Sequence, residues 1–167
     1  MPNFIQTLCA ITIMAWKELD NNSYNEVWDK FNKELDFNPY GSHDKAIHTE
    51  YPILKYNIKR LFNPEFDISK MENYALELFQ AITEPGEKMY ALDWQHPAYE
   101  FDPRGEMERD EFGEWKVPIF PNGDYYIFLT QDFQNVWFGH PWEPSITLIG
   151  KKLIDLAKQG TTSIDRF

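Results

Sequence analysis

Apolar positions recur every three to four residues in two stretches of the chain. Tyr24, Val27, Trp28, Phe31 and Leu35 fall on one helical face, and Ser23 with Glu26 ahead of them has the spacing of a capping box, where each side chain satisfies an amide that the first helical turn leaves unpaired. A first helix over about 23–35 is expected. Ser69 and Glu72 repeat the signature before Met71, Ala75, Leu78 and Ile82, which predicts a second helix stopping before Pro85 and Gly86. Between the two, Leu54, Tyr56, Ile58 and Phe62 alternate with Lys55, Asn57 and Lys59, the period of a strand with one face in a core, and Asn63-Pro64 ends it.

From Lys88 onward the pattern changes to short apolar runs separated by turn residues: 89–94, 115–120, 125–130, 136–138 and 145–149 read as strands. Pro121-Asn122-Gly123-Asp124 reads as a hairpin-type turn between two of them, because Asn and Gly accept the positive φ that tight turns demand. Short loops between consecutive strands imply antiparallel pairing. Leu153, Ile154, Leu156 and Ala157 predict a closing helix ended by Gly160, with a tail over 161–167. The expected fold is α+β: a mostly antiparallel sheet of about five strands with two or three helices packed on one face, in a single domain over 14–160.

The first residues stand apart from this patterning. Phe4, Ile5, Leu8, Cys9, Ala10, Ile11, Ile13, Met14, Ala15 and Trp16 form a mostly apolar run, yet no Lys or Arg precedes Lys17, no small-x-small cleavage site follows, and the run falls short of the roughly 20 residues of a membrane span. It reads neither as an export signal nor as a span. Residues 1–13 are either an extension ahead of Met14 or a strand or helix turn packed on the domain.

Composition narrows the function. The 167 residues hold 27 acidic and 16 basic side chains, a formal charge of −11, so the long-range field repels nucleic acid and anionic membranes and favours a basic protein partner. A single cysteine, Cys9, excludes an intrachain disulfide and fits a cytoplasmic location. Aromatic residues make up 17% of the chain, which implies either an unusually aromatic core or a lined groove or interface. The least patterned segment is 100–114, where Glu100, Asp102, Glu106, Glu108, Asp110, Glu111 and Glu114 surround Arg104 and Arg109. It reads as a solvated loop, or as a negative lobe whose Glu106, Glu108, Asp110 and Glu111 face a basic partner.

Chemistry-bearing residue types concentrate in two segments, Ala91-Leu92-Asp93-Trp94-Gln95-His96-Pro97 and Phe138-Gly139-His140-Pro141-Trp142-Glu143-Pro144. If these strand ends lie together, Asp93, His96, His140 and Glu143 bring two imidazoles and two carboxylates, a set able to hold a divalent metal or run acid–base catalysis. D-x-x-H and H-x-x-E on turns lack the fixed one-face geometry of H-E-x-x-H on a helix. The structural alternative has His140 capping a turn, Trp94 and Trp142 filling the core, and the carboxylates meeting backbone amides; it assigns no metal and no cofactor. Phosphate-loop, dinucleotide and nucleophile-elbow motifs are absent, Gly150-Lys151-Lys152 having no upstream glycine of the right spacing. Cys9 is a poor nucleophile in its apolar run, and His43 and His48 sit in a polar stretch where exposure is expected.

The same two segments, with Trp115-Lys116-Val117-Pro118, the string 121–129 and a weaker echo in Trp28-Asp29-Lys30-Phe31, resemble a bacterial family of unknown function, number 2716 in the domain-of-unknown-function series. The resemblance spans roughly residues 16–158 and supplies no activity or catalytic residues; the acidic 100–114 loop departs from it. The function expected is that of a noncatalytic binding protein, of the immunity type that plugs a basic active site, with Trp94 and Trp142 as aromatic anchors. The alternative is a small hydrolase-like enzyme or metal-binding protein built on Asp93, His96, His140 and Glu143.

Overall fold

The computed structural model describes residues 11–41 and 46–167. Most of the 1–13 extension, Cys9 and His43 lie outside the described residues. Seven strands form one sheet: β1 (Trp16–Glu18), β2 (Ile53–Asn57), β3 (Met89–Asp93), β4 (Tyr99–Phe101), β5 (Tyr126–Thr130), β6 (Val136–His140) and β7 (Ser145–Ile149). Their order is β1-β4-β3-β5-β6-β7-β2 and every neighbouring pair is antiparallel. Among the described residues three α-helices accompany it: α1 (Asn21–Leu35), α2 (Ile68–Ile82) and α3 (Lys151–Gln159). The α+β class is as expected, and the sheet is larger than five strands.

The discrepancies in strand number have local causes. β1 and β4 are three residues each, too short to display a period, and they pair with each other at the sheet edge. The 115–120 run is not a strand. Trp115, Val117, Ile119 and Phe120 are buried while Lys116 between them is exposed, an alternation that mimics a strand, but Pro118 interrupts the supply of amide donors and the run lies over the core instead of joining the sheet. Hence Pro121-Asn122-Gly123-Asp124 leads into β5 from an irregular segment and is not a hairpin between strands.

Helix starts are displaced from the capping boxes. Asp20 accepts from the Ser23 amide at 2.8 Å and Asp67 from the Ser69 amide at 3.0 Å, so aspartates two or three residues upstream take the caps that Ser23 and Ser69 were expected to supply. A carboxylate there also faces the positive end of the helix dipole. The third helix begins at Gly150, whose φ of 101° and position, where a Cβ would come 2.0 Å from the Gln134 carbonyl oxygen, leave room only for glycine.

Helices cover both faces of the sheet, not one. Val27, Trp28, Phe31 and Leu35 of α1 share a core with Leu92, Ile127, Leu129, Val136, Phe138 and Ile149. The buried residues of α2 and α3 share a second core with Met89, Ala91, Phe128, Trp137, Ile146 and Leu148. Along each strand the two sets alternate, as the two-residue period requires. The closing segment returns to the second core, where Ile164 is buried and its carbonyl accepts from Arg60 Nη2 at 2.7 Å. Among the described residues no helix is long and apolar enough to cross a membrane.

Candidate functional site

Antiparallel pairing brings the ends of β3 and β6 and the starts of β4, β5 and β7 to one end of the sheet. The two sequence segments therefore do lie at the same end. They do not converge on one site, for two reasons. β5 separates β3 from β6, a gap of about 10 Å at ordinary strand spacing. Asp93 also has the parity of Met89 and Ala91, on the α2–α3 face, whereas His140 has the parity of Val136 and Phe138, on the α1 face. The four-residue constellation of Asp93, His96, His140 and Glu143 is thus resolved into two groups on opposite faces of the sheet.

On the α1 face, His140 is 2% exposed and its Nδ1 accepts from the Glu143 amide at 3.2 Å, the turn-capping role of the structural alternative. Glu143 itself pairs with Lys55 Nζ at 2.6 Å across the hairpin from β2. Around His140 stands an aromatic cluster. Tyr125 lies 4.8 Å from the imidazole and 5.0 Å from Trp142, and Trp94 meets Tyr125 at 5.8 Å, Trp142 at 6.4 Å and Tyr40 at 5.5 Å, all nearly edge to face. Trp142 does not fill the core: it is 51% exposed, and Tyr40 is 81% exposed. Trp94 is half-buried between them. Tyr40 was not singled out from the sequence, since a tyrosine beside Pro39 in a turn carries no periodic signal.

On the opposite face, Asp93 and His96 are joined by Asp124. His96 Nδ1 lies 2.9 Å from Asp93 Oδ1 and 3.8 Å from Asp124 Oδ2, and the three ligand atoms sit within 4.8 Å of one another. The β3–β5 register decides this, because Asp93 faces Tyr126 and so brings Asp124 alongside the 94–96 turn. Asp124 read from the sequence only as a turn residue. Burial pushes Asp93 up to about 6, against the hydrogen bond from His96, and burial also raises Asp124. The Asp93 hydrogen bond and charge raise His96. Tyr126, desolvated beside the two carboxylates, is pushed up to about 12.

The acidic loop is more constrained than a solvated loop. Asp102 is buried and bonds Lys88 Nζ; Arg104 donates to the carbonyls of Gln80, Thr83 and Glu84 at the end of α2; Arg109 forks onto both oxygens of Glu72 at 2.7 and 3.1 Å. Glu108 meets Lys116 at 3.3 Å, and the Asp110 carboxylate accepts from the amides of Phe112 and Glu114. Glu106 exchanges backbone hydrogen bonds with Ile13 and Ala15, at the Phe101 end of the sheet, away from Trp94 and Trp142. Glu111 is exposed. His48 is half-exposed, 3.5 Å from Asp36.

The family described as a protein of unknown function (DUF2716) matches residues 18–154. The chain belongs to this family. It is 37% identical over 150 residues to a protein of Bacillus subtilis (strain 168) named "Uncharacterized protein YxiI", an alignment covering 86% of this chain and 92% of that one. No solved structure matches. The match takes in the sheet end with both residue groups, and neither the family nor the relative carries an assigned activity.

Proposed function

We propose that the chain is a noncatalytic binding protein that captures a basic protein partner, acting as an immunity-type inhibitor in the cytoplasm. The observation that supports this most is the aromatic platform at the sheet end, where Trp142 and Tyr40 are exposed around a half-buried Trp94 and stand on Tyr125 and His140. Rigid aromatic side chains set in a packed surround are the usual anchors of protein interfaces, since they bury a large area at little entropic cost. The charge of −11 supplies steering toward a cationic surface. Glu106, Glu108, Asp110 and Glu111 contribute to that field, and Trp94 and Trp142 make the contact.

The test is capture from the native host with wild-type and Trp142→Ala chains. The reading expects a basic protein retained by the wild type, with affinity reduced about 30-fold or more in the variant, a hot-spot loss. Its association should slow as salt rises while dissociation changes little. An immunity role further requires that the captured protein lose its own activity on binding. A partner bound equally by the variant sinks the aromatic platform as the contact surface.

A further inference from the structure

We propose that Asp93, His96 and Asp124 form a binding site for a divalent transition-metal ion of the zinc class, open to solvent on one side. The inference stands apart from the basic-partner reading and rests on different residues. Donor atoms that share one ion at 2.0–2.4 Å cannot lie more than about 4–5 Å apart. His96 Nδ1, Asp93 Oδ1 and Asp124 Oδ2 meet that condition, at 2.9 and 3.8 Å from the imidazole nitrogen and all within 4.8 Å. A mixed set of one imidazole and two carboxylates suits zinc or manganese better than calcium or magnesium, which take all-oxygen shells.

The site is held from outside as well as within. Asp93 is the last residue of β3, paired with Tyr126 of the neighbouring strand; the second Asp124 oxygen accepts from the Tyr125 amide at 2.8 Å; and the His96 amide donates to the Asp93 carbonyl at 3.1 Å, closing the turn. These contacts orient the three donors without using the atoms that face one another. Electrostatics point the same way. Asp93 and Asp124 are partly desolvated, and among the described residues neither has a Lys or Arg within ion-pair distance, His96 being the only basic group beside them. A divalent cation offsets that desolvation, and the His96 side chain, 58% exposed, leaves the approach open. Three protein ligands leave at least one position for water or for a donor from another molecule.

The experiment is calorimetric titration of the full chain with Zn²⁺ at pH 7.5, Cys9→Ser being carried in every sample to remove the thiol as a competing ligand. Mg²⁺ and Ca²⁺ are run alongside. The expected result is one equivalent of Zn²⁺, with little heat from the other two ions. His96→Gln and Asp124→Asn should each weaken binding about 10-fold or more, since even outer partners of a metal ligand are worth 10–100-fold. The His96 ring resonances should shift on titration in the parent, and in Asp124→Asn only at Zn²⁺ concentrations about 10-fold higher or more. His96 is exposed and Asp124→Asn keeps the side chain's shape, and circular dichroism confirms the folding of both variants; if one fails to fold, the other decides together with the ring resonances. No Zn²⁺ binding up to millimolar concentration, or equal affinity in the folded variants, overturns the proposal.

Discussion

Two groups of carboxylates in this acidic chain have opposite surroundings. In the 100–114 loop, Asp102 and its ally Glu72 on α2 are met by Lys88 and Arg109, so negative charge there is used to fasten the loop to the domain. Beside the end of β3, Asp93 and Asp124 are also withdrawn from water, and among the described residues His96 is the only basic side chain within ion-pair distance of them. Burial lifts Asp102 as it does Asp93, yet the Lys88 ammonium and the Arg104 amide more than reverse it, and Asp102 titrates below the ordinary range while Asp93 titrates near 6. The difference teaches which acids are structural. A buried carboxylate with its cation supplied by the fold is part of the architecture, and one left without it is available for something from outside.

The largest effect that tests this contrast is Asp102→Ala. It leaves Lys88 and the Arg104 amide without their partner, and an expected loss of about 3 kcal/mol lowers the melting midpoint by roughly 6–12 °C. The depressed pKa also sets a sign. Stability contributed by Asp102 is present above its unfolded value of 3.8 and is lost as pH falls through the lower folded value, so Asp102→Asn should flatten the acid limb of a pH–stability curve.

Asp93→Asn should act in the other direction. With a folded pKa of about 6 against 3.8 unfolded, the native state holds the proton more tightly, so wild-type stability falls as pH rises from about 4 to 6. The raised His96 adds stability below its unfolded value and loses it as pH rises through its folded value, extending the decline upward. In metal-free buffer, urea unfolding at pH 4.5 and 7.5 should show Asp93→Asn removing most of the fall and gaining about 2 kcal/mol relative to wild type at the higher pH. A variant less stable than wild type at pH 7.5 makes Asp93 a structural acid like Asp102 and breaks the comparison.

The smallest effect sharpens it. Replacing Glu106, Glu108, Asp110 and Glu111 together by their amides keeps the Asp110 turn bonds and removes one surface pair, so thermal melts should shift by no more than about 1 kcal/mol. The salt dependence of partner association should nevertheless weaken, because that depends on the summed charge.

Local order was legible in the residues alone. The 3.6-residue spacing of Val27, Phe31 and Leu35 and of Met71, Ala75 and Leu78 named both long helices, and the runs around Ala91, Phe128, Trp137 and Leu148 named the central strands, because a side chain's face follows from its position along its own element. The caps were misplaced by two or three residues, since Asp20 and Asp67 compete with Ser23 and Ser69 for the same amides and only backbone geometry selects between them. The 115–120 run misled because an irregular segment that buries Trp115, Val117 and Ile119 around an exposed Lys116 has the same pattern as a half-buried strand.

Which strand lies beside which was decided by the tertiary structure, and with it the sites. Asp93 and His96 were found from the sequence because they are three residues apart on one turn. Asp124 joins them through the pairing of Asp93 with Tyr126, and Trp94 meets Trp142 over Tyr125, the residue just ahead of the intervening strand β5. His140 and Glu143 were assigned to the same cluster on residue type, and the order β3-β5-β6 with the alternation of faces sent them to the other side of the sheet. Periodicity is a property of consecutive residues and is written in the chain. Register and neighbour choice are set by how two cores pack against one sheet, a sum over contacts between residues far apart in sequence, and no single stretch of the chain contains it.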